Sequence, residues 1–256
     1  MELDQTYRAI ASRLPENKSV RFEMVAGKEE LILSPLDKLD ETASLKALRK
    51  TVKERMPLVD LPEIILEVAA RTGFTNAFTH VAESKARASE LTTSLCAVLL
   101  AQACNTGFEP FTSQDVASLR RDRMVWVEQN YMRDETLIDG NAILVAAQNQ
   151  IALARLWGGG DVASADGLRF VVPVRTVHAA PNPKYFDRRR SITWYNLISD
   201  QRTGLNGITV PGTLRDSLIL LAVVLEQQTE LQPTHIMTDT GAYSDVVFGL
   251  FRLLGY

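Results

Sequence analysis

ADGLRFVVPV at residues 165 to 174 and HIMTDTG at residues 235 to 241 are the two stretches on which the fold turns. The apolar run LRFVVPV at 168 to 174 predicts a strand, and THIMTDT at 234 to 240 predicts a second, short one. Between them SITWYNLISD at 191 to 200 and LNGITVP at 205 to 211 read as two further strands. The turn residues Gln-Arg-Thr-Gly at 201 to 204 are short enough to pair them as a hairpin. Pro211 and Gly212 close that hairpin. Thr213, with Asp216 three residues on, then offers an N-cap. SLILLAVVLEQQTEL at 217 to 231 is apolar on nearly every face through Leu225, so its helix must be covered on several sides. SDVVFGLFRLLGY at 244 to 256 opens a last helix. The order is strand, strand, strand, helix, strand, helix, and a right-handed crossover sets the fourth strand parallel to its neighbour.

Two aspartates fall at telling places in that order. Asp166 sits at the start of the first strand and Asp239 at the C-terminal end of the fourth, 239 − 166 = 73 residues apart. If those two strands are neighbours, both carboxylates reach one spot where ligands of open α/β sheets tend to bind. Converging carboxylates repel unless a cation lies between them. Hard oxygen donors suit Mg²⁺, which takes substrate phosphates as well. No Ser-His or Cys-His arrangement competes for the chemistry. On spacing alone, strand-end aspartates are more often turn and cap residues.

Working outward, Gly158, Gly159 and Gly160 carry too much backbone freedom to lie inside an element and predict a boundary between residues 1–157 and 158–256. No Gly-Lys-Ser/Thr follows them, which excludes a phosphate loop. The first part reads as mostly helical, with segments near 41 to 55, 62 to 72 and 82 to 104 and a further run to Trp157. VRFEMV at 20 to 25 and LILS at 31 to 34 interrupt it as a small hairpin about Gly27. Thr112 and Asp115 predict another helix start. The fold class is therefore α+β.

Composition agrees with a globular chain: 256 residues, 46% hydrophobic and 23% charged. No apolar run approaches the roughly 18 residues that a membrane span needs. The start MELDQTYRAIASRL lacks an apolar signal core, so a cytoplasmic protein is expected. Cys96 and Cys104 read as buried thiols, and His80, His178 and His235 share no ligand spacing. The net charge of −3 speaks against a nucleic-acid partner, but phosphate contact needs local basic density rather than a basic total. Lys184, Arg188, Arg189 and Arg190 supply such density, Arg120, Arg121 and Arg123 less of it. Tyr185, Phe186 and Trp194 read as core residues before base-stacking ones.

The wording from Trp157 to Tyr256 resembles the catalytic region of the replicative, cointegrate-forming DDE transposases of class II bacterial transposons, the Tn-three family. The resemblance rests on WGGGDVASADGLRFVVPVRTV, PNPKYF, ITWYNLISDQ, GITVPGTLRDS and HIMTDTGAYSDVVFGLFRLLGY, in family order, and on DLPEIILEVAARTGF and ETLIDGNAILVAAQNQIALARLWG before them. It implies a mainly helical segment over 1–157 leading into the N-terminal half of a ribonuclease-H-like catalytic domain over 158–256. It also implies a three-carboxylate site in which Asp166 is the first ligand and Asp239 the second, holding Mg²⁺ or Mn²⁺. The third, a glutamate, belongs on a helix downstream of Tyr256, and Glu226 and Glu230 lie in the crossover helix instead. Gly241-Ala242 reverses the order expected after the TDT motif, and His178 stands where an asparagine is expected. The implied activity is DNA transposition, with cleavage at transposon ends and joining of 3′-hydroxyls to target DNA. Implied partners are DNA and the chain itself or a full-length transposase, with the nucleoid as the place of action and no membrane. Three readings follow: an enzyme fragment with an incomplete site, a DNA- or transposase-binding product, and a decayed remnant. Exposed apolar surface on the last helix and an open sheet edge predict self-association.

Overall fold

The structure, a computed structural model, describes residues 2–35, 38–82, 89–212, 216–239 and 244–256, and at 216 and 217 the backbone alone. Contacts divide the chain into two compact units, Met1–Leu58 and Val59–Tyr256. This division falls at a different place from the glycine run at 158–160.

The first unit holds helix α1 (Glu2–Arg13), strands β1 (Val20–Val25) and β2 (Lys28–Leu33), and helix α2 (Ala43–Arg55). β1 and β2 form the expected antiparallel hairpin, Val25 facing Lys28. Its two turn residues, Ala26 and Gly27, both take positive φ, the twist that suits a two-residue hairpin. Thr42 caps α2 by accepting from the Leu45 N–H at 3.2 Å. None of this unit's described residues is buried.

The second unit opens with four helices: α3 (Leu61–Thr72), α4 (Leu91–Ala103), α5 (Arg121–Tyr131) and α6 (Asp134–Asn149). Gly73 ends α3 in the left-handed conformation, its N–H reaching the Ala69 carbonyl. α4 begins only at Leu91, later than the expected start near 82: Ala82 lies in a bend and Glu90, at φ 52, in a left-handed turn just before the helix, while residues 83–88 lie outside the described ones. Thr112 opens no helix. Its hydroxyl donates back to the Glu109 carbonyl at 2.9 Å and closes a 3-10 turn over Glu109–Phe111, while α5 begins only at Arg121. Phe74, Phe78, Leu95, Val98, Met124, Val127 and Tyr131 form the helical core. Cys96 is buried there, which pushes its thiol up to about 11; Cys104, against expectation, is exposed because α4 stops before it.

A short α7 (Ala152–Trp157) then gives way to the sheet, built from β3 (Val162–Val171), β4 (Ala180–Pro181), β5 (Arg190–Ser199), β6 (Gly204–Pro211) and β7 (His235–Thr238). β5 lies between β3 on one side and β6 with the short β4 on the other, and β7 is the neighbour of β3 at the edge. The predicted β5–β6 hairpin is present, antiparallel from Ile192–Pro211 to Ile198–Gly204. The first strand differs from expectation. It begins at Val162, six residues before Leu168, and stops before Pro173. Ala163 and Ala165 alternate with Ser164 and Asp166, and these small and polar residues hide the period-2 signal.

Helices α9 (Asp216–Leu225) and α10 (Asp245–Leu254) follow, after a four-residue α8 (Pro183–Phe186) between β4 and β5. The crossover helix ends at Leu225, so Glu226 and Glu230 stand in the loop after it, contrary to expectation. Gln227 explains the stop: its side chain donates to the Leu231 carbonyl at 2.8 Å and accepts from the Thr229 N–H at 3.3 Å, local bonds that compete with the helix. The Thr213–Asp216 cap lies outside the described residues.

One face of the sheet carries Ala163, Ala165, Tyr195, Leu197 and Leu205, packed against Leu220, Val223 and Val224 of α9 and Val247 and Phe251 of α10. Val145 of α6 joins the same cluster, while its neighbours Ile143 and Leu144 pack on the helical core. Asn141 and Gln148 of α6 donate to the carbonyls of Gly204 and Gln201 at 2.9 and 2.8 Å. α6 thus serves both cores, which is why residues before and after the glycine run share one compact unit. Among the described residues no helix is long and apolar enough to cross a membrane.

Candidate active site

β3 and β7 run parallel as neighbours, with Val162 opposite His235, Ala163 opposite Ile236, Ser164 opposite Met237 and Ala165 opposite Thr238. One further step along each strand reaches Asp166 and Asp239. The 73-residue gap is therefore closed by register, across strands about 4.8 Å apart. Because side chains alternate, Asp166 shares a face with Ser164, and continuing the register puts Asp239 on the face of Met237. That face is opposite the one packed on α9 and α10. Both carboxylates are exposed.

Asp166 occupies the middle of β3 rather than its start. Its Oδ1 accepts from the Gly167 N–H at 2.7 Å, which turns the carboxylate along its own strand. Asp239 follows the last residue of β7, and its carbonyl accepts from the Thr238 hydroxyl at 2.9 Å. Residues 240–243, including the Gly241-Ala242 pair, lie outside the described ones. Across the sheet Asn196 of β5 stands directly opposite Asp166, and Gly207 of β6 opposite Asn196. A single row of the open face therefore reads Asp239, Asp166, Asn196, Gly207.

The DDE domain model of Tn3 transposases matches residues 63–256, about three quarters of the chain, and so takes in both strands that bear these carboxylates. The chain belongs to the Tn3 transposase family. It is 52% identical over its whole length to the transposase for transposon gamma-delta of Escherichia coli, but covers 26% of that protein. The transposase for transposon Tn4556 of Streptomyces fradiae is 45% identical over 99% of the chain and 28% of its own length. The transposase for transposon Tn1546 of Enterococcus faecium is 30% identical over 90% of the chain and 23% of its own length. The chain thus spans about a quarter of the relatives it matches.

A DDE transposase domain implies a divalent metal. The two aspartates offer oxygen donors alone, which suits a hard cation rather than zinc. Among the described residues no group of three or more His, Cys, Asp or Glu side chains is placed to hold a metal, so the pair fits as part of a ligand set. His80 packs edge-on to Tyr131, and His235 bonds Thr234.

The basic stretch lies past the end of β3, in the loop from β4 through α8 into β5. Asn182, fully buried, anchors it by donating to Ser191 Oγ at 2.9 Å and the Gly212 carbonyl at 3.3 Å, and by accepting from the Tyr185 N–H. Lys184 and Arg169 lie over the Tyr185 ring at 4.8 and 4.2 Å, and Arg189 over Phe186 at 5.7 Å. Arg190 donates to the Thr176 carbonyl at 2.9 Å, which occupies part of its fork. Among the described residues none of Lys184, Arg188, Arg189 and Arg190 is in an ion pair with a carboxylate. The second cluster is engaged at home: Arg121 pairs with Glu109 at 3.0 Å, and Arg123 donates to the Ser89 carbonyl and covers Trp126.

Tyr185 and Trp194 are not core residues. Tyr185 is 46% exposed, and Trp194, 39% exposed, lies flat over Gly207 on the carboxylate face. A Cβ at Gly207 would fall 2.1 Å from Trp194 Cζ2, so only glycine leaves room for the ring. Sequence reasoning missed this pair, and also Asn182, Asn196 and Asp200. Asp200 accepts from the Gly160 N–H at 2.9 Å, and its side chain fills the space a Cβ on Gly158 would need. All five positions are visible inside the quoted blocks, but each depends on a partner in another element.

Proposed function

We propose that this chain carries the leading part of the catalytic centre of a DNA transposase, in which Asp166 and Asp239 together hold Mg²⁺ or Mn²⁺. The observation that supports this is the register that brings the two carboxylates level on neighbouring parallel strands. The sheet then is the N-terminal half of a ribonuclease-H-like core over 158–256, with 1–157 as the helical segment before it. The antiparallel β3–β5–β6 meander joined to a parallel β7 is in keeping with that assignment.

When bound, the metal supplies an activated oxygen and charge neutralisation at a DNA phosphate. Asp166 and Asp239 orient the cation, and Gly167 fixes the angle of Asp166 through its N–H. Lys184, Arg188 and Arg189 meet the phosphodiester backbone beyond the end of β3, where their local positive charge outweighs the chain's net charge of −3. The substrates are transposon ends and target DNA, and the place of action is the cytoplasm, on the nucleoid when DNA is bound. With two carboxylates and no third among the described residues grouped with them, the chain by itself binds the cation but does not turn over.

Calorimetric titration with Mn²⁺ tests the reading. The chain should bind the ion, and Asp166→Ala and Asp239→Ala should each remove binding. Affinity unchanged in both variants would sink the proposal.

DNA binding without cleavage is the second reading, favoured by basic side chains that have no carboxylate partner among the described residues. Replacing Lys184, Arg188 and Arg189 by alanine should weaken binding to duplex DNA about equally for all sequences. The slope of log affinity against log salt should fall by roughly 3, one for each phosphate that no longer meets a cation. An unchanged slope would place the DNA elsewhere.

A further inference from the structure

The row Asp239, Asp166, Asn196, Gly207 contains one polar side chain to which the acidic-pair reading gives no task. Asn196 pairs with Asp166 across the antiparallel β3–β5 ladder, so the two side chains leave the same face with Cβ atoms about 5 Å apart. Among the described residues the Asn196 carboxamide makes no hydrogen bond, although the residue is half-buried. Other asparagines in and beside the sheet behave differently. Asn182 bonds Ser191 and Gly212, and Asn206 bonds the Val223 carbonyl at 3.0 Å. The carboxamide is not among the buried unpartnered groups, so it is open to water or to a ligand on that face, where apolar residues such as Leu168, Ile198 and Met237 offer it no bond.

We propose that Asn196 is an oxygen donor of the cation site, its carboxamide oxygen adding to the ligands supplied by Asp166 and Asp239, directly or through a metal-bound water. This rests on the proposed cation site. Three features of the structure support it. The first is position: Asn196 flanks Asp166 on the side opposite Asp239, so Asp166 is the middle of three. The second is chemistry. Amide carbonyls are ordinary ligands of hard cations, and a neutral oxygen beside two carboxylates limits the charge repulsion that a third carboxylate on the sheet would add in the metal-free protein. The third is rigidity. Asn196 is held on both sides, by β3 through Asp166 and by β6 through Gly207, in the most enclosed strand of the sheet. The Trp194 indole lying over Gly207 further walls the row on its β6 side.

The test is a Mn²⁺ titration of the whole chain and of Asn196→Ala, Asn196→Asp, Asp166→Ala and Asp239→Ala, with thermal unfolding of each variant in metal-free buffer. Asn196→Ala should bind about 10-fold more weakly, the low end of what residues supporting a metal's ligands contribute. Asn196→Asp should bind more tightly than the wild type while melting at a lower temperature without metal, because a third carboxylate helps only when the cation is present. A merely structural asparagine would lower the melting temperature in both variants and tighten binding in neither. Wild-type affinity in Asn196→Ala, or no gain in Asn196→Asp, overturns the proposal. If Asn196→Ala does not fold, the aspartate variant decides alone. The two failures separate cleanly: if Asp166→Ala and Asp239→Ala bind as the wild type does, the cation site itself is refuted, whereas loss in both with Asn196 indifferent refutes this inference alone.

Discussion

Val145→Asp should unfold the helical bundle and the sheet together, lowering stability by about 4 kcal/mol or more. Val145 is fully buried on α6, in the cluster that includes Ala163, Leu197 and Val223. A carboxylate there has no partner and must either remain charged in an apolar site or take up a proton. The neighbouring turn of α6 packs Ile143 and Leu144 onto Phe74, Leu95 and Val127. Damage to α6 therefore reaches both cores. The expected result is one cooperative transition, shifted down, whether followed by helix content or by tryptophan fluorescence. Two separate transitions, with only the sheet shifted, would show that the halves fold independently, with the glycine run as their border.

Gly207→Val should lower the melting temperature by roughly 4–10 °C, from about 2–3 kcal/mol of overpacking in a unit of this size. The side chain would begin 2.1 Å from Trp194 Cζ2 and 2.3 Å from Cη2, so the indole must leave its seat. Trp194→Ala in the same chain supplies the control. With the ring gone, valine on β6 meets an open face and suits a strand better than glycine, so Gly207→Val should then be neutral or slightly stabilising. Additive effects in the double variant would mean that the ring's closeness is not the reason for the glycine.

Much of the architecture is legible in the sequence because its signals are local. The Asn-Leu-Ile-Ser-Asp strand, the Gln-Arg-Thr-Gly turn and the strand after it lie within about twenty residues of one another, and the hairpin they predict is present. Two of the boundaries that differ from expectation have specific causes. β3 is longer than its apolar run because Ala163 and Ala165 are small enough to lie close under α9 and look like loop residues in sequence. α9 is shorter than its pattern because LEQQTEL continues a helical period that the Gln227 side chain interrupts. Cys104 and Trp194, core residues by composition, lie at the surface, the first past the end of α4 and the second on the sheet face without helices. Neither fact can be seen without the layer arrangement. Asp166 and Asp239 follow from the strand order, and their common level needs only that β3 and β7 be neighbours. Asn196 is invisible for the opposite reason: its meaning comes from a pairing 30 residues away in an otherwise ordinary strand.

The edge position of β7 has a consequence for the order in which the molecule is made. β5 and β6 are joined by a short turn, and β3 pairs with β5 at separations of 20 to 36 residues, whereas β7 reaches β3 across 73 residues, after α9 has crossed the sheet. Contacts of such wide separation form late. Asp166 should thus be in place before Asp239, and the pair should exist only once β7 has docked. Cation affinity should therefore appear with the slowest refolding phase and not with the recovery of helix signal, making the ion a clock for the last step of assembly.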